Sequence, residues 1–136
     1  MKLSLGYIAG YFDGEGSIGI YRNRGSKDSR YKSGHKTPCW IRSVSIVNTY
    51  LPIIIKLRDM FGGRFNQIVK DKKYKPCYQW SLGAKHDIGN FLNVLYPLLI
   101  EKKPQAKLMI DECLGRRKTF AVAKKLKALK RRRHVA

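Results

Sequence analysis

The run Ile8-Ala9-Gly10-Tyr11-Phe12 is apolar and small, and it ends in two carboxylates set between glycines, Asp13-Gly14-Glu15-Gly16. Gly6 and Gly10 are four apart, so a helix over 3–12 places both on one face, where another backbone can approach closely. The pattern predicts that this helix stops at Phe12, with Gly14 and Gly16 freeing the chain to turn. One segment therefore combines a helix-packing surface with an acidic tip. In a chain with 29 Lys+Arg against 9 Asp+Glu, a net charge of +20, acids placed this way point to a task, most simply holding a divalent cation.

The rest of the composition narrows the partner. A length of 136 residues with 43% hydrophobic residues fits one folded domain. The positive field points first to nucleic acid and second to an anionic membrane surface. No apolar stretch approaches the roughly 20 residues of a membrane span, and no signal peptide is expected. Cys39, Cys77 and Cys113 are odd in number and lack a CxxC pair, so they read as reduced thiols of an intracellular protein.

Periodicity predicts strands over 17–23, 40–47, 64–70 and 76–82, and helices over 51–61, 86–100 and 105–114. Pro52 suits a helix first turn, and Gly62-Gly63 a helix end. The basic stretches 25–38 and 71–75 read as a long loop or hairpin tip and a turn. The order α-β-β-α-β-β-α-α gives an α+β domain with helices on one face of an antiparallel sheet. Alternation turns Trp40, Val44, Ile46, Tyr78, Trp80 and Leu82 toward the helices. It leaves a polar face that either lies against a nucleic-acid groove or is simply solvated. From Arg116 onward the chain carries ten Lys and Arg and no acid. That is a basic, phosphate-binding arm, helical or disordered, or else a tail carrying a targeting address. The domain is set at 1–115 and the arm at 116–136.

The segment Ile8-Ala9-Gly10-Tyr11-Phe12-Asp13-Gly14-Glu15-Gly16-Ser17 resembles the signature of the LAGLIDADG homing endonucleases. The resemblance covers 3–114 and implies an αββαββα core with a saddle of antiparallel strands. The motif occurs once; Asp59-Met60-Phe61-Gly62-Gly63 lacks the second acid and Asp111-Glu112 lacks the glycines. Single-motif members of that family are homodimers with the motif helices packed together, which assigns Gly6, Ala9, Gly10 and Asp13 to an interface. The other use of such a face is an intramolecular helix contact. A two-fold dimer implies a roughly palindromic double-stranded DNA site.

By the same resemblance, Glu15 is the catalytic metal ligand, joined by the Gly14 carbonyl, with Mg²⁺ or Mn²⁺ (at least one per active site) as cofactor. Two Glu15 side chains flank two scissile phosphates and give a staggered double-strand break. Glu15 stands where Asp is commonest, and its extra methylene moves the carboxylate by more than ~1 Å. Asp13 orders the helix tip. Asn48 matches a polar amide of the water network, or caps the next helix. The stretch Lys102-Lys103-Pro104-Gln105-Ala106 resembles a Lys-x-x-Gln-Ala segment that selects Lys102 as an electrostatic stabiliser; otherwise Lys102 is a solvated surface residue. DNA contacts fall to the outward positions Gly19, Tyr21, Asn23, Ile41, Ser43, Ser45, Arg64, Asn66, Ile68, Lys70, Cys77, Gln79 and Ser81. Rival expectations are a maturase binding its intron RNA, and a non-catalytic DNA-binding protein. The compartment is an organelle or a bacterial or phage cytoplasm, with no membrane partner.

Overall fold

The structure, a computed structural model, describes residues 3–23, 39–68 and 75–133. Its elements are α1 (Leu5–Glu15), β1 (Gly16–Asn23), β2 (Cys39–Asn48), α2 (Leu51–Phe61), β3 (Arg64–Ile68) and β4 (Cys77–Leu82). Then follow α3 (Lys85–Leu95), a 3₁₀ turn (Tyr96–Leu98), α4 (Lys103–Cys113) and α5 (Thr119–Arg133). The loop expected over 25–38 lies outside the described residues, as do 69–70 of the strand expected over 64–70 and 71–74 of the turn expected over 71–75.

The four strands form one antiparallel sheet in the order β1-β2-β4-β3. Register pairs Ile18 with Val44, Ile46 with Trp80, and Phe65 with Trp80, so these side chains share the face that the helices cover. Phe91 of α3 is the hub of that core: its ring meets Phe12 at 5.3 Å, Trp80 at 5.1 Å and Phe61 at 4.8 Å, all edge-on. The α3 stripe of Ile88, Phe91, Leu92 and Leu95 is fully buried, as its period requires. Burying such aromatic and aliphatic side chains contributes roughly 1.5–3 kcal/mol each.

Local signals explain most boundaries. The Ser4 hydroxyl caps α1 by accepting from the Tyr7 N–H at 3.1 Å. Pro52 opens α2, and Gly62 (φ 78°) and Gly63 (φ 91°) close it in left-handed conformations. A side chain on Gly63 would also come 2.4 Å from the Ser81 carbonyl. The Trp80 indole donates to the Gly62 carbonyl at 2.8 Å and ties this helix end to β4.

Two expectations fail for tertiary and local reasons. The helix expected over 86–100 ends at Leu95, because Pro97 lacks the N–H that would bond four residues back and its ring crowds that carbonyl in the preceding turn. The first helix runs past Phe12 through Asp13 and Gly14 to Glu15.

In the basic segment, 119–133 are helical. Val122 and Leu126 of α5 are buried, and the Phe120 ring meets Trp40 edge-on at 6.1 Å. The α4–α5 corner is locked by Glu112, which accepts both a two-pronged hydrogen bond from the Arg42 guanidinium on β2 and the Thr119 hydroxyl at 2.8 Å. No helix among the described residues is long and apolar enough to cross a membrane.

Candidate active site and outward sheet face

The last turn of α1 is held by the link between the 3₁₀ turn and α4. Asp13 accepts the Ile100 N–H at 2.7 Å on one carboxylate oxygen and the Lys102 N–H at 3.0 Å on the other. The Lys102 ammonium donates to the Asp13 carbonyl at 2.6 Å. That carbonyl is among the last four of α1, which no intrahelical donor reaches, and a cation there also favours the helix dipole. Lys102 is only 3% exposed, so it is not a solvated surface lysine. These contacts carry the helix through Asp13 and Gly14, where the sequence alone suggested a break.

Gly14 and Gly16 do not supply a left-handed turn; among the described residues only Gly62, Gly63 and Gly115 have positive φ. Gly16 is extended, at φ −81° and ψ 165°. Its requirement is steric: a Cβ would lie 2.2 Å from the Phe12 ring.

Glu15, the final residue of α1, is exposed. No hydrogen bond or ion pair joins it to another described residue. Beside it stands Tyr11, whose phenol is raised above its ordinary pKa by burial first, then by the negative charge of Glu15 and by Tyr7. The Asn48 amide donates to the Tyr11 hydroxyl, while its carbonyl oxygen accepts the Tyr50 N–H at 3.1 Å just before α2. Asn48 therefore orders the entry to α2 and also reaches the α1 tip. Glu15, Asn48 and Lys102 converge on one helical turn, linked through Tyr11 and Asp13. Tyr11 escaped the sequence reading because it occupies an apolar position of the motif; only the contact with Asn48 distinguishes it from core.

Among the described residues nothing covers the outer face of α1. A Cβ on Gly6, Gly10 or Gly14 would meet none of their atoms within 4 Å, and Leu5 and Tyr7 are exposed beside them. Ala9 does not belong to that face: it is 1% exposed and packs in the core with Ile8 and Phe12, so its assignment to a subunit interface is corrected. Asp13 likewise turns inward, toward Ile100 and Lys102.

Among the described residues no three His, Cys, Asp or Glu side chains cluster as a metal cage. The donor set is nevertheless right for a hard cation that retains waters: one exposed carboxylate, Glu15, next to carbonyls of a helix C-terminus. Asp13 is instead engaged by two backbone N–H groups, one on each carboxylate oxygen.

Register places Gly19 opposite Ser43, Tyr21 opposite Ile41, and Asn23 opposite Cys39. Ser45 and Arg64 both pair with Ser81, Asn66 with Gln79, and Ile68 with Cys77. All the expected outward positions therefore share the sheet face away from the core, except Lys70, which lies outside the described residues. Ser17, Cys39 and Val47 join them. The Tyr21 ring lies back over Gly19, where a Cβ would come 2.4 Å from its hydroxyl. Lys130 of α5 donates to that hydroxyl at 2.9 Å and reaches Ser17 at 3.4 Å. No spacing in the sequence signals this contact, which joins residues 109 apart.

No family model matches the chain. A probable intron-encoded endonuclease, aI2, of Debaryomyces hansenii is 30% identical over 95 residues, or 65% of this chain, and the chain spans 13% of that protein. Among solved structures, the homing endonuclease I-CvuI in complex with a DNA target aligns with a TM-score of 0.69 at 16% identity, covering 92% of this chain and 80% of that one. The archaeal intron-encoded homing endonuclease I-Vdi141I, complexed with DNA, aligns with a TM-score of 0.67 at 18% identity, covering 92% and 82%. The fold is that of the LAGLIDADG homing endonucleases.

Proposed function

We propose that the chain is a site-specific DNA endonuclease of the intron-encoded homing type, working as a homodimer on a long, pseudo-palindromic duplex. The observation that carries this is Glu15: an exposed carboxylate without a cationic partner among the described residues, at the tip of a helix whose outer face is glycine, in a chain of net charge +20. The likeness to homing endonucleases solved on DNA supports the duplex as substrate.

Packing Gly6, Gly10 and Gly14 against their copies brings two helix tips together, so that each Glu15 serves one strand and the break is staggered. Glu15 and the Gly14 carbonyl would hold Mg²⁺ or Mn²⁺, which when bound supplies charge neutralisation and a more acidic water. Asp13 and Lys102 fix the tip: two N–H groups hold the carboxylate and the ammonium holds the carbonyl. In this arrangement Lys102 positions Glu15 through the helix end. Asn48 and Tyr11 set the polar surround of the Glu15 carboxylate, and the outward sheet face reads the duplex.

The test is purified protein with Mg²⁺ and a plasmid carrying the intronless host sequence. A specific linear product that disappears in Glu15→Gln is expected. Undiminished cutting by Glu15→Gln removes the metal role assigned to that residue, and a monomer in sedimentation at micromolar concentration removes the dimer.

A further inference from the structure

The helix α5 lies along β1, an edge strand of the sheet, and a groove of about 640 Å³ runs between them. That is within the roughly 300–1,000 Å³ of ordinary ligand sites. Tyr21, Trp40 and Phe120 supply aromatic surface to it, and Arg22, Lys124, Lys127 and Lys130 supply positive charge; no acid among the described residues lines it. The Arg22 guanidinium sits over the Trp40 ring at 5.2 Å. Phe120 is 66% exposed although α5 already anchors itself through Val122 and Leu126. A phenylalanine left in water beside lysines adds little to folding, and it needs a ligand with both a flat apolar surface and negative charge.

Duplex DNA satisfies only half of that description. Its bases are stacked on one another, so it gives phosphates to the lysines and nothing to the rings. Unpaired nucleotides give both, and stacking on aromatics beside a cationic track is how single strands are held without sequence preference. We propose that the groove between α5 and β1 binds single-stranded nucleic acid, with bases stacked on Phe120 and Trp40 and phosphates paired with Lys124 and Lys127. This site uses neither Glu15 nor a metal, and although Gly19 and Tyr21 at its edge belong to the sheet face assigned to the duplex, Phe120 and Trp40 do not, so changes at those rings test the groove apart from the nuclease function.

The chain has two tryptophans, and Trp80 is fully buried, so ligand-dependent quenching reports Trp40. An oligouridylate of about ten nucleotides, titrated without divalent metal, is expected to quench that emission. A duplex of the same length is expected not to. Oligodeoxyuridylate, which differs only in the sugar, distinguishes the source of the strand: equal quenching means a site indifferent to the sugar, and weaker quenching means that the 2′-hydroxyl is read. Phe120→Ala and Phe120→Leu each weaken binding about tenfold, the second keeping apolar bulk while removing the ring. The Lys124→Ala/Lys127→Ala double variant lowers the salt slope by about 1.4, the effect of two single-strand phosphates. Quenching by neither ligand overturns the proposal, as does equal quenching by the duplex, or wild-type affinity in both Phe120 variants.

Discussion

Two helices end in neighbouring acids, and the molecule treats the two pairs oppositely. At the end of α4, Glu112 is bound by Arg42 and Thr119, and Asp111 by Lys107 at 3.3 Å, Arg117 at 3.5 Å and Arg116 at 4.0 Å. At the end of α1, Asp13 is held by backbone N–H groups while Glu15 faces solvent without a cationic partner among the described residues. In a chain this rich in Lys and Arg, neutralising an acid is easy, so leaving one open is the informative case. The α4 pair holds helices to the sheet; the α1 pair divides, with one acid fixing the helix end and the other left facing solvent.

The contrast makes predictions of decreasing size. Glu15→Gln should lower the cleavage rate by about 10³-fold or more, about 4 kcal/mol on the barrier, with thermal stability changed by less than about 0.5 kcal/mol. A large stability loss would mean that Glu15 is structural like its α4 counterparts. Glu112→Gln should do the reverse, costing about 3 kcal/mol in urea unfolding by leaving the Arg42 charge without its partner, while the fraction still folded cuts normally.

Asp13→Asn should cost about 1.5–2 kcal/mol, because one of the two N–H groups then faces an amide donor. It should also slow cleavage through the displaced tip, and the two effects can be separated by measuring rate and urea midpoint on the same preparation. Gly10→Ala has the smallest effect. It adds up to about 1 kcal/mol of helix stability to the monomer, yet weakens self-association in sedimentation. Gains in both would break the assignment of the glycine face to a subunit contact.

Acid pH sharpens the α4 side. Burial by itself would raise the Glu112 carboxyl, but hydrogen bonds from Arg42 and Thr119, with the charges of Arg42 and Lys85, outweigh it and hold the carboxyl below the usual range. Its stabilisation is complete above the ordinary glutamate value of about 4.3 and is lost as pH falls through the lowered folded value. The unfolding free energy of Glu112→Gln should therefore fall less steeply than wild type over that acid range.

The elements were largely legible because each carries its own period or punctuation. The α3 stripe, the α2 glycine stop and the strand parities needed only local rules, and a parity error would have exposed Trp80 and Val44. Glu15 and the glycines also stood out locally. What escaped depended on distant partners: the extension of α1 to Glu15 rests on Ile100 and Lys102, the inward turn of Ala9 on the core, and the burial of Lys102 on the Asp13 carbonyl.

The sequence by itself determined the order of elements, the faces of the sheet and the acidic tip, since periodicity, charge and glycine placement act over a few residues. The family resemblance assigned Asp13 to the helix tip and left Glu15 open, but only the tertiary structure shows what separates them. Asp13 and Glu15 are two residues apart and chemically alike, and what separates them is a pair of N–H groups 87 and 89 residues away, brought there by the fold.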